Sequence, residues 1–332
     1  MVLDRPDRDT YSEITGLLIW KKLVSRIEVY VMDAYEIEVA QGQRFEFGKN
    51  WKRFLAGVDE KRVDVAVESI CTLLDLGDGR LKGKRFLDIG SGSGLFSLAA
   101  RRLEAEVCSF DYDPHSVDCT REMKRRFAPN DPGWRIERGS ILDSAYVSSL
   151  GVFDVVYSWG VLHHTGSMWK ALSNAADLVA PRGLLTIAVY NDQGPQSRRW
   201  AAIKRTYNRL PTGLKEVFGF IVMGGRDLRF LFGDILRGRP LNYVRRWMNY
   251  SDVTSRGMSR WHDWLDWVGG YPFEVAKPEE IFEFLKKRGF ALQRLKTCGG
   301  GIGCNEFVFR RNDWPARPAS QSDCLVSPPL ND

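Results

Sequence analysis

Asp88 and Asp111 are the residues whose type and position most constrain the chemistry open to this chain. Asp88 lies in the apolar run Phe86-Leu87-Asp88-Ile89, which enters Gly90-Ser91-Gly92-Ser93-Gly94. Leu95 to Leu103 then has the apolar spacing of a helix. Strand, glycine turn and helix in that order let a backbone approach a nucleotide-like ligand closely. A turn built for a pyrophosphate aims a helix N-terminus at negative charge, and an acid inside it would repel that charge. Asp88 suits a cationic group instead, such as an amino acid's ammonium, held directly or through water. Glu106-Val107-Cys108-Ser109-Phe110 reads as the next strand and ends in Asp111, where an acid accepts hydrogen bonds from both hydroxyls of a ribose. Tyr112, directly after it, can lie against an adenine face.

The other chemistry-bearing residues follow in order. Trp134 to Arg138 reads as a strand that leads into Gly139-Ser140-Ile141-Leu142-Asp143. There Ile141 can cover the second adenine face and Ser140 can meet the base's polar edge. Phe153 to Ser158 is a fourth strand and runs into Trp159-Gly160-Val161-Leu162-His163-His164. Histidine titrates near neutrality and is a natural general base. Of the adjacent pair, His164 is preferred, since one of two neighbours commonly packs under a sheet edge. Tyr190, ending the fifth strand beside the same pocket, is a candidate substrate contact, and Asp192 just after it is a further candidate base or orienting group. Residues 256–274 crowd tryptophans, a histidine and acids into one stretch, in which Trp261, His262, Asp263 and Glu274 can wall a substrate pocket. Core packing is the plainer reading of part of that aromatic density. Asn305 ends the glycine-rich run 299–304 and is a second candidate wall, although a plain mobile loop reads as well.

Taken together, Leu87-Asp88-Ile89-Gly90-Ser91-Gly92-Ser93-Gly94, Asp111, Gly139-Ser140-Ile141-Leu142-Asp143, Phe153-Asp154-Val155-Val156 and Val161-Leu162-His163-His164 resemble the class I S-adenosylmethionine-dependent methyltransferases. The look is that of the ubiquinone-biosynthesis type of small-molecule O-methyltransferase. One departure is Ser140, where that family often carries an acid facing the adenine amine. The resemblance implies a Rossmann-like α/β sheet of seven strands in the order 3-2-1-4-5-7-6, strand 7 antiparallel. It implies S-adenosyl-L-methionine as cofactor and S-adenosyl-L-homocysteine as product. Asp88, Gly90, Ser91, Gly92, Gly94, Asp111, Tyr112, Ser140, Ile141 and Trp159 would hold that cofactor.

These residues need elements to position them. The reading is an N-terminal helical cap with an aromatic lead-in over 1–83, a cofactor-binding core over 84–190 and a helical insertion after strand five over 191–276. A closing helix and two strands fill 277–311, and a proline-bearing disordered tail fills 312–332. Helices are expected over 11–40 and 58–76, the sixth strand over 290–296 and the seventh over 305–310. The insertion stands over the C-terminal strand edge, where ligands bind in such sheets.

Composition narrows the field. Hydrophobic residues make up 44% and charged residues 27%, the balance of a soluble globular chain. No run approaches the length of a membrane span, and the charged first residues lack a secretory core. Six scattered cysteines without a CxxC pair fit a reducing cytoplasm, and no metal site is expected. The net charge is +6, yet residues 198–246 alone hold twelve Lys and Arg against three acids. That local excess suits a solvated lid face, an anionic membrane surface contacted peripherally, or nucleic acid. The function expected is methyl transfer to a hydroxyl of a small-molecule, lipid-linked or glycan acceptor. The alternatives are a tRNA-modifying methyltransferase that grips phosphate with the basic lid, and a cofactor-binding scaffold without turnover. Neither the acceptor nor the oligomeric state follows from the sequence.

Overall fold

The computed structural model describes residues 33–313 apart from 78, 240, 242–266 and 300–302. Seven strands form one sheet: β1 (Arg85–Ile89), β2 (Glu106–Asp111), β3 (Trp134–Arg138), β4 (Phe153–Trp159), β5 (Val179–Tyr190), β6 (Phe290–Lys296) and β7 (Cys304–Arg311). Their order is β3-β2-β1-β4-β5-β7-β6. All neighbours run parallel except β7, which is antiparallel to both β5 and β6. This is the seven-stranded Rossmann-like methyltransferase topology expected from the sequence. The fifth strand starts earlier than its apolar run suggests. Its pairing jumps from Phe153↔Val179 to Val155↔Leu184, so the Pro181-Arg182-Gly183 turn is a bulge inside the strand.

Ten helices are described: α1 (Ala34–Ala40), α2 (Phe47–Ala56), α3 (Glu60–Leu74), α4 (Leu95–Arg102), α5 (Pro114–Phe127), α6 (Ser144–Leu150), α7 (Met168–Asp177), α8 (Pro195–Arg209), α9 (Thr212–Leu236) and α10 (Pro278–Lys287). They cover both sheet faces, which is why the parallel strands are apolar without interruption. Phe86 and Leu87 show the alternation. Phe86 joins Ile70 of α3, Leu98 of α4 and Met123 of α5, whereas Leu87 joins Val147 of α6, Leu172 of α7 and Leu285 of α10. Short acids start several of these helices. Asp59 accepts from the Arg62 N–H, Asp113 from that of His115, and Asp143 from those of Ala145 and Tyr146.

Two regions differ from the sequence reading. The aromatic lead-in is itself a helix, α2, because Phe47, Trp51, Phe54 and Leu55 fall on one side when wound at helical pitch. Of the helix expected over 11–40, only α1 lies among the described residues. In the insertion, α8 and α9 are joined through Leu210-Pro211, and the Asn208 amide ties α8 to the carbonyl of Gly269 at 2.7 Å. The tail expected over 312–332 lies almost wholly outside the described residues. No described helix is long and apolar enough to cross a membrane.

Gly139, just past β3, has its missing side chain replaced by the Tyr146 ring. A Cβ there would sit 2.2 Å from the ring's Cε1. Tyr146 is held by its hydroxyl to Glu137 at 2.9 Å, so it cannot turn aside without losing that bond. Gly139→Ala should therefore destabilise the fold by about 1–3 kcal/mol, read as a lower denaturation midpoint with an unchanged slope.

Candidate functional site

At the carboxyl ends of β1, β2 and β4 the chain leaves a cavity of about 1080 Å³. Asp88 reaches it from inside β1. The carboxylate is buried, and its Oδ2 accepts the hydroxyl of Ser97 in α4 at 2.5 Å. Ser97 in turn accepts from Ser109 of β2 at 2.7 Å, and Ser109 accepts from the indole Nε1 of Trp134 at 2.8 Å. A tryptophan N–H can only donate, so it sets the direction of the chain and every hydroxyl donates toward Asp88. Burial nevertheless pushes the Asp88 carboxyl up to about 6, against the opposing effect of the Ser97 bond.

The glycine turn folds around the second acid. Gly92, at φ +55°, donates its N–H to Asp111 Oδ2 at 3.0 Å, and Asp113 N–H donates to Oδ1 at 2.9 Å. Burial raises the Asp111 carboxyl to about 7, and the Asp113 charge adds to the rise. Among the described residues no cation is paired with Asp88 or Asp111. A buried acid and a half-buried one that face one cavity without a basic partner among the described residues fit a ligand carrying a cation and hydroxyl donors.

The structure brings most of the expected cofactor residues to this cavity: Asp88, Gly90, Ser91, Gly92, Asp111, Tyr112, Ser140, Ile141 and Trp159 all line it. Trp159 stacks on Tyr157 with an interplanar angle of 6°. Gly94 does not line the cavity. It sits behind the turn as the start of α4, at φ +77°, where a Cβ would meet Thr120 at 2.9 Å. Tyr112 is not a bare ring, since the Arg44 guanidinium lies 4.9 Å over its centroid.

On the acceptor side, His164 and Tyr190 line the cavity. His164 Nδ1 lies 2.6 Å from the carbonyl of Pro272. A carbonyl only accepts, so Nδ1 carries the hydrogen and the lone pair of the neutral ring is on Nε2. His163 differs. It is fully buried, stays off the cavity, and its Nδ1 accepts the backbone N–H of Tyr190 at 3.3 Å. Three other expected residues also stay off it, each engaged by nearby backbone or amide groups. Asp192 accepts from Gly194 N–H at 2.9 Å. Glu274 accepts from Met168 N–H at the start of α7, at 3.0 and 3.1 Å. Asn305 is buried and donates to Asn191 Oδ1 at 3.0 Å. Trp261, His262 and Asp263 lie outside the described residues.

The sequence reading missed the wall supplied by residues 44–51. Trp51 lies against the glycine turn, where a Cβ on Gly92 would approach its ring to 2.9 Å. Phe47 packs on the His164 ring with centroids 4.9 Å apart. Arg44 donates to the carbonyl of His164 at 3.1 Å and pairs with Glu38 at 2.5 Å. Gly48 pins this segment, because its N–H donates to Asp113 Oδ2 at 2.7 Å. The only advance signal was the density of aromatic residues in Phe45-Glu46-Phe47-Gly48-Lys49-Asn50-Trp51.

The raised acids predict a pH dependence of known sign. An Asp whose folded-state value lies above its unfolded value of 3.8 favours folding at low pH, and this support is lost as pH rises toward 6 for Asp88 and 7 for Asp111. Removing one such group should flatten that loss. Between pH 4 and pH 8 the difference in stability between wild type and Asp111→Asn should drift steadily in favour of the variant, then level off above about pH 7. Denaturant melts across this range measure the drift. A constant difference would show that Asp111 ionises as an ordinary surface acid.

Comparison with known proteins gives the same domain. The family described as a methyltransferase domain matches residues 64–216. A ubiquinone biosynthesis O-methyltransferase of Sinorhizobium fredii is 28% identical over 111 residues, which are 33% of this chain and 43% of that protein. Its counterpart in Xanthomonas campestris is 30% identical over 143 residues, 42% of this chain and 58% of that one. The chain thus spans about half the length of the curated relatives it matches. Among solved structures, magnesium protoporphyrin IX methyltransferase from Synechocystis with bound SAH is 15% identical at a TM-score of 0.46, covering 80% of this chain and 94% of that one. The N-methyltransferase NodS from Bradyrhizobium japonicum with SAH is 16% identical at a TM-score of 0.44, covering 80% and 98%. Residues 64–216 thus match a methyltransferase domain, and the sheet order and glycine turn agree with that match.

Proposed function

We propose that the protein transfers a methyl group from S-adenosylmethionine to a hydroxyl of a small-molecule, lipid-linked or glycan acceptor. The observation that supports it best is the pair of acids, buried Asp88 and half-buried Asp111, that face one cavity without a cationic partner among the described residues. In this reading Asp88 holds the cofactor's ammonium and Asp111 accepts from its ribose hydroxyls. Ile141 and Ser140 meet the adenine, and Trp51 and Trp159 keep water from the reacting end. The bound cofactor supplies an electrophilic methyl on a sulfonium. A hydroxyl is a poor nucleophile until its proton is taken, and His164 Nε2 is the group assigned to take it. Pro272 fixes the required tautomer through Nδ1. His163 and Asp192, being engaged away from the cavity, are given no proton-transfer role.

Labelled-methyl transfer into lipid, RNA, protein and small-molecule fractions of an extract tests the acceptor class. Label is expected in the lipid or small-molecule fraction, and label confined to RNA or protein would overturn that class. His164→Gln should slow turnover on the identified acceptor by roughly 10²-fold while cofactor affinity stays within a factor of a few. Asp111→Ala should do the reverse at the binding step, weakening calorimetric affinity for S-adenosylhomocysteine about ten-fold or more through loss of charge-assisted hydrogen bonds.

A further inference from the structure

Helix α9 is turned inside out. On a surface helix the apolar stripe faces the core and the charges face water. Here Asp227 and Asp234 are buried, with 4% and 6% exposure, whereas Ile221, Phe232 and Leu236 are 65%, 63% and 87% exposed. Leu214, Val217 and Leu228 fall on the same outward arc at helical pitch and are also exposed. The apolar strip therefore runs along nearly the full length of a 25-residue helix. Glu216 is the one exposed acid on α9, and exposed cations stand close by: Arg229 on the helix flank, and Arg237 and Arg239 just beyond its end. The preceding helix, α8, presents Arg198, Arg199 and Arg209 on its own exposed face.

We infer that α9 lies on the surface of an anionic lipid bilayer, with its outward arc immersed among the acyl chains near the headgroups and the flanking arginines on lipid phosphates. An apolar arc bordered by cations is the pattern of an interfacial helix, and anionic headgroups are the partner whose charge complements it. The helix lies on the membrane and does not cross it. Its inner side carries Met223 and Arg226, which line the candidate cavity. The acceptor side of that cavity is thereby set one helix thickness from lipid, about 10 Å. An acceptor dissolved in the bilayer would reach it without passing through bulk water.

Vesicle flotation of the full chain tests this without reference to catalysis. The protein should float with phosphatidylcholine vesicles containing roughly one-third phosphatidylglycerol, bind pure phosphatidylcholine at least about ten-fold less, and be released by high salt. The double substitution Ile221→Asp, Phe232→Asp should lower vesicle partition about ten-fold or more, since each lipid-facing apolar side chain is replaced by a charge that anionic lipid repels. Both side chains are exposed, so the variant should keep the wild-type melting temperature and its calorimetric response to S-adenosylhomocysteine. Absence of binding to anionic vesicles, equal binding of the variant, or equal binding to neutral vesicles would overturn the proposal. So would a wild-type dimer in sedimentation equilibrium that the variant breaks, because the strip would then belong to a second copy of the chain.

Discussion

Carboxylates held at the sheet edge with no counter-cation among the described residues are the constraint around which this molecule is arranged. Asp88 and Asp111 sit at the ends of adjacent parallel strands, Asp88 buried and Asp111 half-buried at the cavity wall. Each is only partly relieved, Asp88 by one hydroxyl and Asp111 by two backbone N–H groups. Such groups persist in a fold when a ligand completes them, and their carboxyls stand well above the ordinary range in its absence. The glycines of the turn serve this arrangement, since Gly92 can turn its N–H to Asp111 only from a positive φ.

The walls of the cavity are assembled from distant parts of the chain. Residues 44–51 close the glycine-turn side, the segment around Pro272 orients His164, and α9 contributes Met223 and Arg226. The first of these is held by a backbone bond, Gly48 N–H to Asp113, whose carboxylate also starts α5 and repels Asp111. One acid thus couples the covering helix α2 to the ionisation of the site it covers.

Much of the sheet could be read from the amino acids because its signals are local. Apolar runs, the glycine turn and the proline-to-glycine bounds of α10 each lie within a dozen residues, and strand pairing follows from parallel βαβ order. The positions of Asp88, Asp111, Ser140 and Ile141 on the cavity wall came with it, because they are set by strand ends. What could not be read were contacts closed over long separations. Nothing local in Arg44 or Trp51 says that one reaches His164 and the other Gly92. The opposite error has the same root. Asp192, Glu274 and Asn305 are chemically suitable and lie near the right strand ends, yet each is engaged first by a backbone N–H or a side-chain amide. Only packing distinguishes His163 from His164, adjacent residues whose ring nitrogens carry opposite assignments.

The one-way run of hydrogens from Trp134 to Asp88 has a consequence for where a proton can reside. Were Oδ2 to take it, Ser97 would have to accept there instead of donate, and one hydroxyl hydrogen of the Ser97–Ser109 pair would lose its acceptor in a fully enclosed setting. The indole cannot reverse to absorb the change. Protonation of the β1 acid is thereby confined to its other oxygen, Oδ1. The buried wiring beneath the sheet edge makes a symmetric carboxylate behave as a two-ended group, one oxygen permanently an acceptor and the other free to titrate.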